Sequence, residues 1–446
     1  MKKLLIIIFI FIFLAGQAAM AGDTTYSLEQ CLEMARTRNP AILASIEKKV
    51  EAEWQKQSAH DDFLPKLNMD YSYTYLDEVH NINANFIGIG EVSITEHDNF
   101  KMGVYIDQPL FTGFVLTTRY NLAELGLQEA VAGEELANLE ITFQTVRAYY
   151  YLLLSMKFEE VMEASVAQLT SHYKDSQQFY KNEIIPLNDL LQSEVHLANA
   201  RQDAEIAANR TTIARRSLAT IIKEPIMLNF TVIDSYNEDP LTSEVDKLAL
   251  MAMDKRPELK RANYNVQASR EEITLAKSSY YPTVVLRAAH NRYGGDPLVD
   301  GHGLSDLQVD DESTIGIYAK WQLFAWGQTK HNINAASAAS RAAGQRLIKV
   351  MDEIQKEVHD SFSNAITVYT NIATSKKAVK QAKENLRMNT VRYKNQISTT
   401  TDVLDAQTLL TETQTKYYWA VYQYNIWLAG LARSVGVQSW KDLQVN

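Results

Sequence analysis

One cysteine, Cys31, occurs in 446 residues, which excludes an internal disulfide framework and any cysteine-rich metal site. Glycine and proline are scarce as well, at 17 and 9, against a usual combined share of roughly 12%. So few breakers cannot punctuate three ordinary domains of about 150 residues each. They suit a chain built from long helices. Cations are outnumbered, 44 Lys and Arg against 54 Asp and Glu for a net charge of −10, and the balance becomes more acidic once a leader carrying Lys2 and Lys3 is removed. That argues against a nucleic-acid partner, because phosphate binding needs clustered cations. Compact chemical motifs are also missing: there is no H-E-x-x-H, no G-x-S-x-G and no Walker sequence. Gly88-Ile89-Gly90 falls in a polar loop without the strand and helix of a phosphate fingerprint. His60 beside Asp61 and Asp62 is the best histidine–carboxylate group, and its place at a helix end reads as solvated. No catalytic residue, metal site or cofactor is expected.

What is present begins with a leader. Lys2 and Lys3, an apolar run from Leu4 to Leu14 and small residues ending at Ala19-Met20-Ala21 have the order of a secretory signal peptide, with cleavage expected after Ala21. The apolar core is shorter than the roughly 20 residues of a spanning helix. Beyond residue 21 no run of 18 apolar residues remains, so the mature chain could enter a membrane only as a β-barrel.

The remainder repeats itself. Pro40 and Pro65 are 25 residues apart, as are Pro257 and Pro282, at an offset of 217. Gly103-Val104-Tyr105 matches Gly316-Ile317-Tyr318, Leu110-Phe111 matches Leu323-Phe324, and Tyr180-Lys181-Asn182 matches Tyr393-Lys394-Asn395, all at an offset of 213. The expected organisation is a signal peptide at 1–21, a first repeat at 22–222, a connection at 223–240, a second repeat at 241–435 and a tail at 436–446. The period is too long for a solenoid.

In each copy a helical segment ends at an X-Pro step and two extended runs follow. The runs at 66–75, 99–110, 283–292 and 314–323 alternate with period two over about ten residues, the length of a tilted barrel strand. An ordinary half-buried sheet alternates in the same way, but the tyrosine load favours the barrel, whose interfaces carry aromatic girdles. The lipid-facing candidates are Leu67, Met69, Tyr71, Val104, Ile106, Leu286, Ile317 and Trp321. The polar loops near 78–97 and 294–312 are expected outside the cell.

After the strands each copy runs unbroken from about 115 to 181 and from about 328 to 394, a helix on the order of 100 Å long at 1.5 Å per residue. Apolar residues at spacings of three and four, such as Leu136, Leu139, Phe143, Val146 and Tyr150, mark a packed stripe. A polar turn then leads into a returning helix with Asp189 or Asp402 near its start, where a carboxylate suits a cap and the helix dipole. The fold class expected is therefore mostly α with a membrane β part. Four strands cannot close a barrel, and open edges are not tolerated in lipid. Oligomerisation is required, and three chains with twelve strands leave a conduit where eight strands would be filled by side chains.

The leader, the repeat, the Asn39-Pro40 and Pro65 spacing, the Gln108-Pro109-Leu110-Phe111 strand end and the Tyr393 to Asp405 segment together resemble the outer-membrane efflux protein family, the TolC-like trimeric channel-tunnels. The resemblance implies a homotrimer with a twelve-stranded barrel, a helical tunnel through the periplasm and an equatorial region made from residues near 22–40, 223–245 and 430–446. It implies a periplasmic adaptor and an inner-membrane pump, proton-driven or ABC type, as partners. It implies that Asp402 and Asp405 ring the periplasmic aperture, their three-residue spacing placing both on one helix face. It also implies that Tyr393 of one helical pair is linked to Asp189 of a neighbouring pair to hold the tip shut. The family usually has glycine three residues after the turn tyrosine, where this chain has Glu183 and Gln396. The arginine often found four residues before the first tip aspartate is Ser398 here. The implied function is an exit duct in the outer membrane of a Gram-negative bacterium, serving efflux or type I secretion. A periplasmic coiled-coil adaptor would explain the helices without the strands, and a diffusion porin the strands without the helices.

Overall fold

A computed structural model describes residues 24–83, 88, 90–93, 95–299 and 311–444; the leader and the centre of each long loop lie outside the described residues. In chain order the elements are β1 (Thr24–Tyr26), α1 (Leu28–Arg38), α2 (Pro40–Asp61), β2 (Lys66–Tyr75), β3 (Asn81–Asn83), β4 (Glu91–Ser93), β5 (Asp98–Phe111), α3 (Val115–Lys181) and α4 (Leu187–Ile222). They continue as β6 (Phe230–Val232), α5 (Val245–Lys255), α6 (Pro257–Lys277), β7 (Thr283–Gly294), β8 (Asp311–Lys320), α7 (Gln328–Lys394) and α8 (Thr400–Val435). Two 3₁₀ turns, Ser278–Tyr280 and Trp440–Leu443, complete the order. Among the described residues no helix is long and apolar enough to cross a membrane.

The helical segments of each copy end ahead of Pro65 and Pro282, α2 at Asp61 and α6 at Lys277; each is also divided at an earlier X-Pro step, a break not expected from the sequence. Asn39 and Arg256 close α1 and α5 in extended conformation, with ψ of 125° and 121°, because the following proline ring blocks the helical region.

The chain divides into two units. One, residues 47–133 and 258–350, contains a four-stranded antiparallel sheet in the order β2-β5-β7-β8. Its register aligns Leu67 with Ile106, Met69 with Val104 and Tyr71 with Met102. It continues with Ile106 opposite Ala288, Gln108 opposite Leu286 and Leu286 opposite Ile317. Directly opposed residues share a face, so one face is predominantly apolar. His290 and Ser313, which fall on it, hydrogen-bond to each other at 2.9 Å. The other face carries Asn68, Asp70, Tyr105, Asp107, Arg287, Asn291 and Thr314. Arg287 donates to both carboxylate oxygens of Asp107 at 2.6 and 2.7 Å and lies over the Tyr105 ring, 4.5 Å from its centroid. Three strands keep their predicted positions to within two residues at either end. The fourth does not: β8 ends at Lys320, leaving Trp321 beyond the strand, where its indole N–H donates to the carbonyl of Tyr280 at 3.2 Å. A register shift between Pro109 and Phe111 in β5 reflects a proline that cannot donate to the ladder.

Each strand-to-helix turn in this unit uses two successive residues at positive φ. They are Gly113 (62°) and Phe114 (71°) before α3, and Trp326 (50°) and Gly327 (83°) before α7. A Cβ at Gly113 would lie 2.8 Å from the backbone oxygen of Ser278, so close approach as well as φ requires glycine there.

The other unit comprises, among the described residues, 24–46, 134–257 and 351–444. Here β1 pairs with β6 in parallel above a core of Cys31, Tyr149, Leu152, Leu218, Phe230, Tyr422 and Leu428. Buried tyrosines end on polar partners, because a buried hydroxyl needs a hydrogen bond: Tyr149 donates to the Ile233 carbonyl at 2.6 Å, Tyr422 to Asp234 at 2.8 Å and Tyr424 to the Asp239 carbonyl at 2.6 Å. Burial pushes the Cys31 thiol up to about 12, the state of an inert small hydrophobe. Arg256, 4% exposed, meets Glu357 at 2.9 Å and donates to the carbonyls of Arg433 and Ser434 at 3.3 and 3.0 Å, the last turn of α8. Arg433 pairs in turn with Glu140 at 2.7 Å and with Glu357.

Candidate aperture at the helix turns

Two turns, between α3 and α4 and between α7 and α8, carry the residues singled out in the sequence. Glu183 and Gln396 stand at φ 59° and 60°, the left-handed region that favours glycine. In each turn the residue that follows donates back across it, Ile184 to the Phe179 carbonyl and Ile397 to the Arg392 carbonyl, both at 2.9 Å or less. That is the Schellman closure, so the turn keeps its geometry without glycine, at the cost of backbone strain. Replacing either residue with glycine relieves that strain and is expected to stabilise the protein by roughly 1 kcal/mol. Denaturant unfolding of Glu183→Gly and Gln396→Gly checks this; a loss of stability would show that the side chains contribute more than the strain removes.

Asp402 is committed locally. Its carboxylate accepts from the Thr399 N–H at 2.9 Å and from the Thr399 and Ser398 hydroxyls at 2.8 Å each, while its own N–H donates to the Thr399 hydroxyl at 3.2 Å. This is a capping box with Thr399 as N-cap. The donated backbone N–H of Thr399, followed by the two hydroxyls, holds the carboxyl below the usual carboxylate range, opposite to the upward shift that a crowded ring of carboxylates would impose. Ser398, at the family's arginine position, is thus one of the cap's donors. Asp405, one turn along, is exposed.

Asp189 departs from the capping expectation. The N-cap of α4 is Pro186, which makes no side-chain cap and has no N–H for Asp189 to accept, so only the helix dipole favours the carboxylate there. Among the described residues the Tyr393 hydroxyl and the Asp189 carboxylate make no direct contact. Tyr393 is buried, and its hydroxyl lies 3.0 Å from that of Ser176 and accepts from Thr400 at 3.3 Å. Ser176 lies 3.2 Å from Ser193, which donates to the backbone carbonyl of Asp189 at 3.0 Å. The connection therefore runs through two serines to the Asp189 backbone rather than to its carboxylate. The rings of His172 and Phe179 close the cluster, 4.7 and 5.3 Å from the Tyr393 ring. Sequence reasoning missed Ser176, Ser193, Thr400 and His172; the only available signal was the helical spacing of Ser176 and His172 from Tyr180 and of Ser193 from Asp189, with Thr400 carrying none.

Within the sheet, the register places seven of the eight lipid-facing candidates on one face; Trp321 is the one outside it. A sheet with one predominantly apolar and one polar face, in a chain whose longest helices are joined in pairs by polar turns, defines a mostly helical class of protein with a sheet suited to a membrane.

Comparison with known proteins places it more narrowly. The model of the outer membrane efflux protein family matches residues 31–222 and 248–437, and the chain belongs to that family. It is 24% identical to the outer membrane protein TolC of Salmonella enteritidis, covering 99% of this chain and 88% of that protein. It is 21% identical to TolC of Vibrio cholerae, covering 94% and 92%. The fold superposes on the CmeC outer membrane channel of Campylobacter jejuni with a TM-score of 0.80 at 16% identity, over 92% of this chain and 85% of that one. The family is one of outer-membrane channels rather than enzymes, and the chain is an outer-membrane exit duct for efflux or secretion.

Proposed function

We propose that three copies of the chain close a twelve-stranded outer-membrane barrel continued by a helical tunnel into the periplasm, and that this duct passively conducts what an inner-membrane pump delivers through a periplasmic adaptor. The observation that carries the reading is the sheet: one face predominantly apolar, the other polar, with β2 and β8 each left with a single neighbour among the described residues. Unpaired edges cannot stand in lipid, and further copies supply the missing strands. A coiled-coil adaptor, the rival reading, has no use for such a sheet. The organisation proposed is two repeats, 22–222 and 241–435, joined by 223–240, preceded by a cleaved signal peptide and followed by the tail at 436–446. The loops near 78–97 and 294–312 face outside the cell, where barrels place their long loops.

Asp402 and Asp405 of three copies form the periplasmic aperture, a carboxylate ring that favours cations. Asp405 is the freer member, because Asp402 also serves its cap. The Tyr393 cluster holds the turns in place behind the ring. Single-channel recording in planar bilayers tests this with a trivalent cation added on the periplasmic side. The parent is expected to be blocked, Asp402→Asn/Asp405→Asn to conduct through the same concentration, and Asp405→Asn alone to lose most of the block. Equal block in all three proteins would remove the ring.

A further inference from the structure

His172 is an anomaly in this molecule. It is 4% exposed, its Nε2 has no hydrogen-bond partner, and it packs on the ring of Tyr393 two turns before α3 ends. Its counterpart in the second repeat, at the offset of 213, is the exposed Asn385, so general packing of a helix end does not require an imidazole. A neutral ring suits this apolar setting and an imidazolium does not, since a buried charge without a partner is costly.

We propose that His172 makes the helix turns acid-responsive: protonation of its ring draws it towards water, parts it from Tyr393 and loosens the Ser176–Tyr393–Thr400 contacts that join α3, α7 and α8. This rests on reading the turns as the tunnel entrance. The groups facing His172 define the balance. On its own helix Asp175 lies one turn on, and it is held by Lys394 of α7 at 3.3 Å. From α4 comes His196, and from α7 Tyr393 itself. The buried residues of α8 at this level, Thr400, Val403, Leu404, Ala406 and Gln407, are not titratable. Burial, the largest influence, lowers the His172 pKa to about 4; Asp175 opposes the shift and His196 adds to it.

The direction follows from linkage. A histidine freed to water titrates near 6.5, so above pH 7 both forms are neutral and the closed arrangement is undisturbed. As pH falls through 6.5 the loosened form takes up the proton first, and it gains on the closed form until the buried ring titrates as well. Between pH 7 and pH 5 the ratio of loosened to closed turns should rise on the order of twentyfold.

Hydrogen exchange by mass spectrometry on the purified full-length protein in detergent, at pH 7 and pH 5 and corrected for intrinsic exchange, reads this without any channel assay. The expected result is tenfold or greater acceleration at pH 5 confined to peptides covering 170–200 and 390–406. His172→Phe keeps a ring against Tyr393 and should lose the acceleration; His172→Gln serves the same purpose should the larger phenylalanine impair folding. His196→Gln should keep it. A flat parent, or acceleration retained in the His172 variants, overturns the proposal. Bilayer recordings at the same two pH values separate the two readings: conductance with no His172-dependent pH step sinks the switch alone, whereas an acid-dependent exchange change in a protein that never conducts sinks the channel and leaves the switch standing.

Discussion

Arg256→Met should cost about 3 kcal/mol of stability, the low end of the range for breaking a buried ion pair. The guanidinium is almost wholly enclosed and serves several acceptors at once, among them the Glu357 carboxylate and the carbonyls of Arg433 and Ser434. Methionine fills much of the volume but donates nothing, so the carbonyls in the last turn of α8 lose the cation that also complements the helix dipole. Two features keep the loss from being larger. Glu357 is partly exposed, and Arg433 remains beside it. Arg256→Lys, a point charge without the fork, should recover part of the stability. Denaturant unfolding of the purified protein measures both, and a change below about 1 kcal/mol in Arg256→Met would mean that the carbonyls find other donors.

The second large effect concerns the sheet. Arginine at Val104 or Ile317 should cost roughly 2 to 4 kcal/mol of membrane insertion if placed near the midplane, and should reduce the amount of heat-stable oligomer recovered from outer membranes. Thr314→Arg is the matched control, because Thr314 lies on the opposite face of the same strand, where a charge faces the polar interior and should be tolerated. Equal loss in Thr314→Arg and Ile317→Arg would show that the effect reports strand disruption rather than facing. Normal insertion of both Val104→Arg and Ile317→Arg would reverse the faces.

Much of this fold was legible because its signals are periodic and stated twice. Period-two alternation located β2, β5 and β7, and the prolines at 65 and 282 marked where helix gives way to strand through a steric rule that needs no tertiary context, whereas the breaks at Pro40 and Pro257 were passed over. Trp321 shows the limit: alternation continued past Lys320, but the pairing with β7 ends there, and no local pattern announces where a strand loses its partner. At the helix turns, the aspartates could be found by spacing, whereas their roles could not. Whether Asp402 caps a helix depends on the residue three before it, and Thr399 answers differently from Pro186. The Ser176–Tyr393 contact joins helices far apart in sequence, and hydroxyl groups of that kind carry no periodic signature.

The paired turns at 113–114 and 326–327 bear on how far the two repeats have become separate. Both copies trace the same backbone through two left-handed residues, yet the glycine comes first in one and second in the other. Moving the Trp326-Gly327 pair into positions 113–114 would drive an indole towards the Ser278 carbonyl, which already excludes a single methyl group. Descent from a common ancestor has therefore preserved a path while exchanging the residues that permit it. The halves are no longer interchangeable modules, and a protein assembled from two copies of the second half would inherit one turn that its surroundings reject.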